Sequence, residues 1–217
     1  SNIWVYRVLI DCDINLNCAS DSGPQSIAYF SNSLAGGGVA IGDLNGDGVK
    51  EVFVSAVDQS SSEMDRWVYA IGSACSNLGC TFSPVRQISA FPYKFHYQSS
   101  PDGMIGGTPD LGGGGVTIGR ILPTGNEQVL ISSIAVHPQQ MDFWQYRVAR
   151  ECNPLTGDCV WGAARSQKSS GWQLLGGAPA LTASCAQCLR DILYFAASDS
   201  NDAGQDYWRY NGLNLSL

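Results

Sequence analysis

The sequence has few charged residues, and most of those it has are acidic. Charged residues make up 14% of the 217 residues, and the net charge is −7. Phosphate binding needs a basic face, so this balance argues against a nucleic-acid ligand. The sequence also lacks an apolar run near the ~20 residues of a membrane-spanning helix. We therefore expect neither a nucleic-acid partner nor a membrane span.

Groups for acid–base or nucleophilic catalysis are scarce too. The chain has two histidines, His96 and His137, which are far apart in sequence, and it has no nucleophile-elbow motif. Its cluster of carboxylates, at residues 43–51, is better explained by cation binding. We therefore predict no catalytic residues and a protein that is not an enzyme.

Cysteine, in contrast, is abundant, and the eight residues fall into four close pairs. The pairs are Cys12/Cys18, Cys75/Cys80, Cys152/Cys159 and Cys185/Cys188. An even count with local pairing predicts disulfide bonds and an oxidising, extracellular or secreted location. A zinc site would need two pairs to converge with histidine partners, and a redox Cys-x-x-Cys would need a surrounding βαβ unit. Disulfides are the better interpretation of all four pairs. The missing initiator Met and signal peptide fit a mature or trimmed chain.

Glycine is the other abundant residue, with 25 copies, and it marks an internal repeat. The motif Trp-x-Tyr occurs four times, at Trp4/Tyr6, Trp67/Tyr69, Trp144/Tyr146 and Trp208/Tyr210. A glycine-rich entry lies upstream of each of the last three motifs. Alignment from these entries matches residues 39–55, 116–132 and 179–195 without gaps. The chain therefore contains three versions of one segment.

Each repeat predicts four short β-strands. In the first repeat they lie around residues 39–42, residues 51–57, the Trp-x-Tyr motif and residues 81–88, with Gly, Pro, Asn and Asp between them. Four-stranded antiparallel units that recur along a chain are typical of propeller blades. We therefore predict an all-β fold, namely a β-propeller-type array of four-stranded antiparallel blades with disulfide-stapled hairpins.

The repeats divide the predicted single domain, residues 1–217, into five parts. These are a partial blade at 1–34, a blade at 35–90, an insertion at 91–111, a blade at 112–170 and a partial blade at 171–217. The first part supplies a third and a fourth strand, and the last part supplies a first, a second and a third. The two ends could complete one blade together, or the chain could be one portion of a longer propeller. Because uncovered edge strands promote pairing, we expect a protein partner or copies of the chain at these open strand edges.

Residues 43–51 place hard oxygen donors at alternate positions of a tight loop. The donors are Asp43, Asn45, Asp47, the Val49 carbonyl and Glu51. Such a set favours Ca²⁺ over a transition metal. Helix-type calcium loops open with the same spacing, but they need an acidic twelfth residue, which is Val54 here, and a following helix. We therefore predict a Ca²⁺ site on a loop between two strands.

The other two versions of the loop lack these ligands. The equivalent positions hold Arg120, Leu122, Thr124 and Gln128 in the second repeat, and Ala183, Cys185, Gln187 and Asp191 in the third. A Cys185–Cys188 bridge would close the third loop covalently. The comparison indicates that the loop is first of all a structural turn, held by Ca²⁺ in one repeat and by a disulfide in another.

At this loop the chain resembles the FG-GAP repeats of integrin α-subunit propellers and of related secreted propellers. Their pattern is Asp-x-Asp/Asn-x-Asp-Gly-x-x-Asp between two strands, and Asp43, Asn45, Asp47 and the Val49 carbonyl match its ligand positions. Glu51 replaces the usual last Asp. The resemblance implies a calcium-stabilised propeller used in adhesion or recognition.

Three further features leave alternatives open. The Trp-x-Tyr residues pack between blades in one interpretation and form a sugar-binding platform in the other. The insertion at 91–111 offers a ligand or partner contact, or packing against the propeller bottom or a neighbouring subunit. Asn214 opens an N-glycosylation sequon, a pattern that also arises by chance.

The function that we expect is therefore non-enzymatic. It is that of an extracellular, calcium-stabilised propeller module for adhesion or interaction, or of a structural subunit in a larger extracellular assembly or filament. The alternative is a carbohydrate-binding lectin of the FG-GAP propeller type, which would use the Trp-x-Tyr platform.

Overall fold

The computed structural model describes most of the repeats but not every connection between them. The described residues are 2–15, 17–30, 33–59, 66–76, 78–88, 114–121, 126–135, 143–163, 165–168, 174–183, 191–199 and 207–213. The insertion at 91–111, the Cys185–Cys188 pair and Asn214 lie outside them. The predictions for these three features are therefore not addressed by the structure.

The regular elements of the described residues are all β-strands, and they pair antiparallel. At the N-terminus, β1 (Asn2–Tyr6) pairs with β4 (Gln25–Phe30), and β2 (Leu9–Cys12) pairs with β3 (Cys18–Asp21). No helix in the described part of the chain is long and apolar enough to cross a membrane. The predicted all-β class is confirmed.

Three larger sheets follow in chain order. The first sheet contains β5 (Ser33–Gly42), β6 (Glu51–Gln59), β7 (Arg66–Ser76), β8 (Gly79–Phe82) and β9 (Arg86–Ile88). The second sheet contains β10 (Gly114–Gly119), β11 (Gln128–Ala135), β12 (Phe143–Cys152), β13 (Cys159–Trp161) and β14 (Arg165–Lys168). The third sheet contains β15 (Leu174–Ala183), β16 (Asp191–Asp199) and β17 (Tyr207–Leu213).

The first two sheets share one strand order. In the first sheet β5, β6 and β7 are neighbours, and β8 and β9 both pair with β7, so they lie where the fourth strand was predicted. In the second sheet β13 and β14 pair with β12 in the same way. Within the described residues the sheets do not close into a barrel or a propeller ring.

The pairing register confirms the alignment of the first two repeats. Val39 pairs with Val54 in the first sheet, and Val116 pairs with Ile131 in the second. These residues occupy equivalent positions in the ungapped alignment. Equivalent positions of the two sheets therefore lie on equivalent faces, because side chains alternate between faces along a strand.

The third sheet departs from the ungapped alignment by one residue. Ala180 pairs with Tyr194, which lies one position beyond the partner that the alignment predicts. Both β5 and β15 carry a bulge at the same aligned place, so these first strands correspond as predicted. The extra residue therefore lies before β16, in the connecting loop. Ile192, and not Asp191 as the alignment predicted, occupies the position of Glu51.

Each face of the first sheet has its own residues. The face that we call the front carries Phe53, Ser55, Val57, Trp67, Tyr69 and Ile71, which are paired across β6 and β7. The face that we call the back carries Val39, Ile41, Val52 and Val54, which are paired across β5 and β6. Opposed residues of an antiparallel pair share a face, and this defines the two sets.

The sheets stack, with the back of the second on the front of the first. Phe53 and Tyr69 of the first sheet share one buried cluster with Val116 and Val129 of the second. The third sheet packs on the second through contacts of β15 with β10 and β11. The hydrophobic core of the described residues therefore lies between the first and second sheets.

Strand β1 of the N-terminal β1–β4 pair packs against β8, which lies at the outer edge of the first sheet. The Tyr6 hydroxyl accepts a hydrogen bond from the Cys80 N–H at 3.0 Å and lies 3.2 Å from the Cys80 carbonyl, to which it donates. The rings of Tyr6 and Phe82 meet edge to face at 4.8 Å. These contacts fix β1 beside β8.

Three of the four predicted disulfides lie within the described residues, and all three are formed. They join Cys12 to Cys18, Cys75 to Cys80, and Cys152 to Cys159. Each closes a hairpin. They indicate an oxidising environment of the extracellular type.

A candidate calcium loop

The predicted calcium loop connects β5 to β6 at one end of the first sheet. Gly42 and Glu51 are paired at its base. Leu44 is buried in the core cluster and anchors the start of the loop. Asn45 and Asp47 are exposed beyond it. The loop therefore presents polar groups to solvent on a fixed base.

The Asp43 carboxylate shapes the turn by accepting two backbone hydrogen bonds. Oδ1 accepts from the Gly46 N–H at 2.7 Å, and Oδ2 accepts from the Gly48 N–H at 2.9 Å. Both glycines have a left-handed backbone, with φ of 78° and 85°. Side chains rarely adopt this conformation, so the glycines are needed for Asp43 to reach these groups.

Asn45 and Asp47 make similar turns further along the loop. The Asn45 Oδ1 accepts from the Asp47 N–H at 3.0 Å, and the Asp47 Oδ1 accepts from the Val49 N–H at 2.7 Å. The Asn45 amide also donates to the Asp47 carboxylate at 2.8 Å. Side-chain oxygens therefore line the loop at alternate residues, as the spacing predicted.

Glu51 differs from the other acidic residues because it is buried, with 2% of its surface exposed. Its Oε2 accepts from the Leu44 N–H at 2.8 Å. Burial raises the pKa of the Glu51 carboxyl, and the nearby charges of Asp47 and Asp43 raise it further, while the hydrogen bond from Leu44 opposes the shift. A negative charge at this position is therefore costly.

Gln128 makes the matching contact in the second repeat without a charge. Its Oε1 accepts from the Ile121 N–H at 2.8 Å, and Ile121 is the equivalent of Leu44. Its amide N–H₂ donates to the Asn126 carbonyl, which stands at the position of the Val49 carbonyl. An acceptor at this position closes the loop in both repeats. The aligned Glu and Gln carried this signal in the sequence, where Glu51 was predicted only as a Ca²⁺ ligand.

A second carboxylate approaches the loop from the neighbouring sheet. The Glu127 Oε2 accepts from the Asp43 N–H at 2.7 Å. Glu127 was not predicted to take part, since nothing in its local sequence pattern shows which residue of another repeat it contacts. The loop of the first sheet is thus held partly by the second.

The donor set is suited to Ca²⁺ in its chemistry. Every predicted ligand offers oxygen, and three of them, Asp43, Asp47 and Glu51, carry carboxylates on one short loop. Hard cations of this size prefer such groups. Among the described residues, however, no three Asp, Glu, His or Cys side chains converge as a metal-binding group. The carboxylates of Asp43 and Asp47 instead accept hydrogen bonds from the loop's own N–H groups.

A cavity of about 590 Å³ lies beside the loop. Asn45, Asp47 and Glu51 line one side of it, and Asn153 and Leu155 from the hairpin between β12 and β13 line another. The candidate site therefore opens onto the junction of the first and second sheets.

The Trp-x-Tyr residues of the first sheet are part of the core. Trp67 and Tyr69 are buried, and the Tyr69 ring stacks on Phe53 with centroids 5.0 Å apart. The Tyr69 hydroxyl accepts from the Trp161 Nε1–H of the second sheet at 3.2 Å. Burial raises the pKa of Tyr69. The prediction that this motif packs between sheets is confirmed for the first repeat.

Comparison with protein-family models, with curated proteins and with solved structures finds no match to this chain.

Proposed function

We propose that the chain is a non-enzymatic, extracellular module of the propeller type, stabilised by Ca²⁺ at residues 43–51. Its role is adhesion or interaction, as a structural subunit of a larger extracellular assembly. Three hairpin disulfides support the extracellular setting. The FG-GAP resemblance of the loop supports both the metal and the blade architecture.

One observation carries the calcium proposal. In the second repeat, the side-chain amide of Gln128 donates a hydrogen bond to the Asn126 carbonyl, so a hydrogen lies between these two groups. In the first repeat the equivalent groups are the Glu51 carboxylate and the Val49 carbonyl, and both are acceptors. A cation bound there would take the place of the amide hydrogen and offset the repulsion among Asp43, Asp47 and Glu51.

The residues that would hold the ion have separate structural roles. Bound Ca²⁺ would supply positive charge to the loop. Asp43 already sets the turn through Gly46 and Gly48, and Glu51 closes the base through Leu44. Ion binding would therefore stabilise a turn that the chain forms by itself, which is a structural role for the metal.

The stacking order supports the propeller part of the proposal. Two sheets have the same strand order, and each lies face to face with its neighbour in chain order. Propeller blades are four-stranded antiparallel sheets arranged in this manner. The lectin alternative finds less support, because the buried Trp67 and Tyr69 offer no ring face to a sugar.

Titration calorimetry with Ca²⁺ tests the proposal, with thermal unfolding as a second measurement. A ligand that binds the folded state at a hundredfold excess over its Kd adds about 2.7 kcal/mol of stability. In a domain of this size, each kcal/mol raises the Tm by roughly 2–4 °C. We therefore expect saturating Ca²⁺ to raise the Tm of the wild type by several degrees, and we expect Asp47→Ala to show no such increase.

Asp13→Ala is the matched control for this experiment. Asp13 is also an exposed aspartate that accepts backbone hydrogen bonds, from Asn15 and Asn17, but its loop lacks the glycine turn. We expect Asp13→Ala to retain Ca²⁺ binding. An absence of binding to the wild-type protein at millimolar Ca²⁺ would refute the site, and turnover of a glycan or peptide substrate would refute the non-enzymatic role.

A further inference from the structure

Equivalent faces of the first two sheets differ in how far they are covered. On the back of the second sheet, Val116 is 8% exposed, and Val129 and Ile131 are almost fully buried. On the back of the first sheet, Val39 is 62% exposed and Ile41 is 60% exposed. Val116, Val129 and Ile131 thus form a core surface in the second sheet, whereas in the first sheet Val39 and Ile41 are exposed and Val52 and Val54 are half-buried.

The packing of the second sheet shows what such a face contacts. A Cβ added to Gly38 on β5 would lie 3.6 Å from a methyl group of Val116, which is ordinary van der Waals contact. Val116 and Val129 pack with Phe53 and Tyr69 in the same cluster. The back of a sheet is therefore shaped to lie on the front of the sheet before it.

The N-terminal strands cover only part of the open face. A groove of about 700 Å³ runs between β1 and the back of the first sheet, and its walls include Val5, Leu9, Val39, Ile41, Val52 and Val54. Val5 and Leu9 are themselves about half exposed. Among the described strands, β1 pairs with β4 alone. Val5, Leu9, Val39 and Ile41 are therefore at least half exposed on the two walls of the groove, which Arg7 and Lys50 also line.

We propose that this groove is the docking site for the third sheet of a second copy of the chain, so that copies join head to tail. The proposal rests on the assembly role proposed above and identifies its partner and its contact surface. The occupant is the side of the third sheet that faces away from the second sheet. Docking of that side would repeat, between chains, the contact that joins successive sheets within one chain.

Two properties of the third sheet favour it as the occupant. Among the described strands, those of the second sheet pack on β15, and no strand from elsewhere in the chain contacts the third sheet to a comparable extent. Its first strand also carries small residues at the positions that approach the next sheet in the first repeat. Ala178 takes the position of Gly38, where a Cβ is tolerated, and Ala180 takes the position of Ala40.

The joint would be heterologous, because the two contacting surfaces differ. Such a contact leaves one free surface of each kind on every complex, so association does not stop at a dimer unless a ring closes. Thr182 takes the position of Gly42, so the two sheets would diverge at that end of the joint. The contact therefore centres on Val39 and its cross-strand partner Val54.

Sedimentation velocity of the 217-residue chain across a wide range of concentration, in millimolar Ca²⁺, tests the proposal. We expect the mean mass to rise with concentration beyond that of a dimer. Val39→Lys places a charge in the joint and should weaken association by roughly 100-fold or more. Val160→Lys is the matched control, since Val160 is a strand valine of similar exposure, 59%, outside the groove.

The outcomes separate this proposal from the calcium proposal. Association of the wild type and of Val160→Lys, with a monomeric Val39→Lys, supports the joint. A wild type that stays monomeric, or a Val39→Lys variant that assembles like the wild type, overturns it. Circular dichroism melts and Ca²⁺ calorimetry on the same samples show whether each variant is folded and binds the metal. Assembly can therefore fail while calcium binding stands, and the reverse.

Discussion

At the scale of single residues, Glu51 and Gln128 make the same hydrogen bond with side chains of different charge. Each accepts from a backbone N–H seven positions earlier, at 2.8 Å. The amide makes the bond without a desolvation cost for charge, whereas the buried carboxylate has a raised pKa. Glu51 therefore holds the loop less well than a glutamine would in the absence of a cation.

The pH dependence of stability follows from the sign of this shift. The pKa of Glu51 in the folded protein lies above its ordinary value of 4.5, so the folded state binds this proton more tightly than the unfolded state does. The contribution of Glu51 to the free energy of unfolding is fully present below pH 4.5. It is lost as the pH rises through the pKa that Glu51 has in the folded protein. Urea unfolding with a chelator present should show this loss in the wild type.

The variant Glu51→Gln tests this account of the loop. We expect it to remove the Glu51 part of the pH dependence, to be at least as stable as the wild type at neutral pH without Ca²⁺, and to lose Ca²⁺ binding. Glu51→Ala should instead lose about 1–3 kcal/mol in the free energy of unfolding, because the buried Leu44 N–H is left without its acceptor. Equal stabilities of the two variants would contradict the hydrogen-bond role.

Sequence alone identified the alternating oxygen-bearing residues of this loop, and the structure shows their side chains along it. The sequence also showed which repeats lack them. It did not show that Glu51 is buried or that Glu127 reaches the Asp43 N–H, because both facts depend on how the second sheet lies against the first. Alternating donors are a local pattern, whereas burial at the base of the loop is a property of the stack.

At the scale of elements, the disulfide hairpins are alike in loop length but differ in their surroundings. Cys12 and Cys18 are six residues apart and Cys152 and Cys159 are seven apart. The second pair packs against the core cluster between the sheets, while Cys12 is exposed. The hairpin of the second pair is also tied to the first sheet by an ion pair between Arg86 and Asp158 at 3.1 Å.

Removing each disulfide in turn should distinguish the stability that comes from loop closure from the stability that comes from side-chain packing. A disulfide that closes a loop of this length stabilises the folded protein by about 2 kcal/mol, because it restricts the unfolded chain. We expect the double variant Cys12→Ala/Cys18→Ala to lose about this amount in chemical denaturation. Cys152→Ala/Cys159→Ala should lose about 1 kcal/mol more, because packed side-chain volume is also removed. Equal losses would show that the surroundings of the second pair contribute nothing.

The strands themselves were largely predictable from sequence. Short β-rich runs between turn residues marked β5 to β9, and the Trp-x-Tyr motif marked the third strand of each sheet. The register of β16 was not predictable, because an ungapped alignment assumes loops of equal length. Its extra loop residue moves Asp191 away from the position of Glu51.

At the scale of the whole molecule, the first and second sheets are joined by apolar contacts and by a few hydrogen bonds. The Trp161 Nε1–H donates to the Tyr69 hydroxyl, and the Arg86 Nε–H donates to the Thr156 carbonyl at 3.0 Å. The backbone of the first sheet approaches the second closely at Gly42, where an added Cβ would lie 2.2 Å from a methyl group of Ile118. These contacts were not visible in the sequence, since they join residues about 70 or more positions apart.

Two glycines on one strand offer a matched test of this stacking. Gly42→Ala should destabilise the protein by about 1–3 kcal/mol, because Ile118 and the sheet behind it must shift. Gly38→Ala, on the same face of β5, meets Val116 at ordinary contact distance. It should be neutral or add about 0.4–1 kcal/mol by restricting the unfolded chain. Thermal and urea unfolding of both variants measure the difference, and equal effects would contradict the close approach.

The front and back faces also bear on how a chain of this type can change its length. A sheet of such a stack has a front face that contacts the next sheet and a back face that contacts the sheet before it. When a repeat unit is duplicated or deleted, the remaining faces are therefore still complementary. The added unit meets a complementary face on both neighbours, and only the connecting segments must be spliced. Array length is then a matter of copy number, and a repeat can lack the oxygen donors of residues 43–51, as the second repeat does, and still stack on its neighbour.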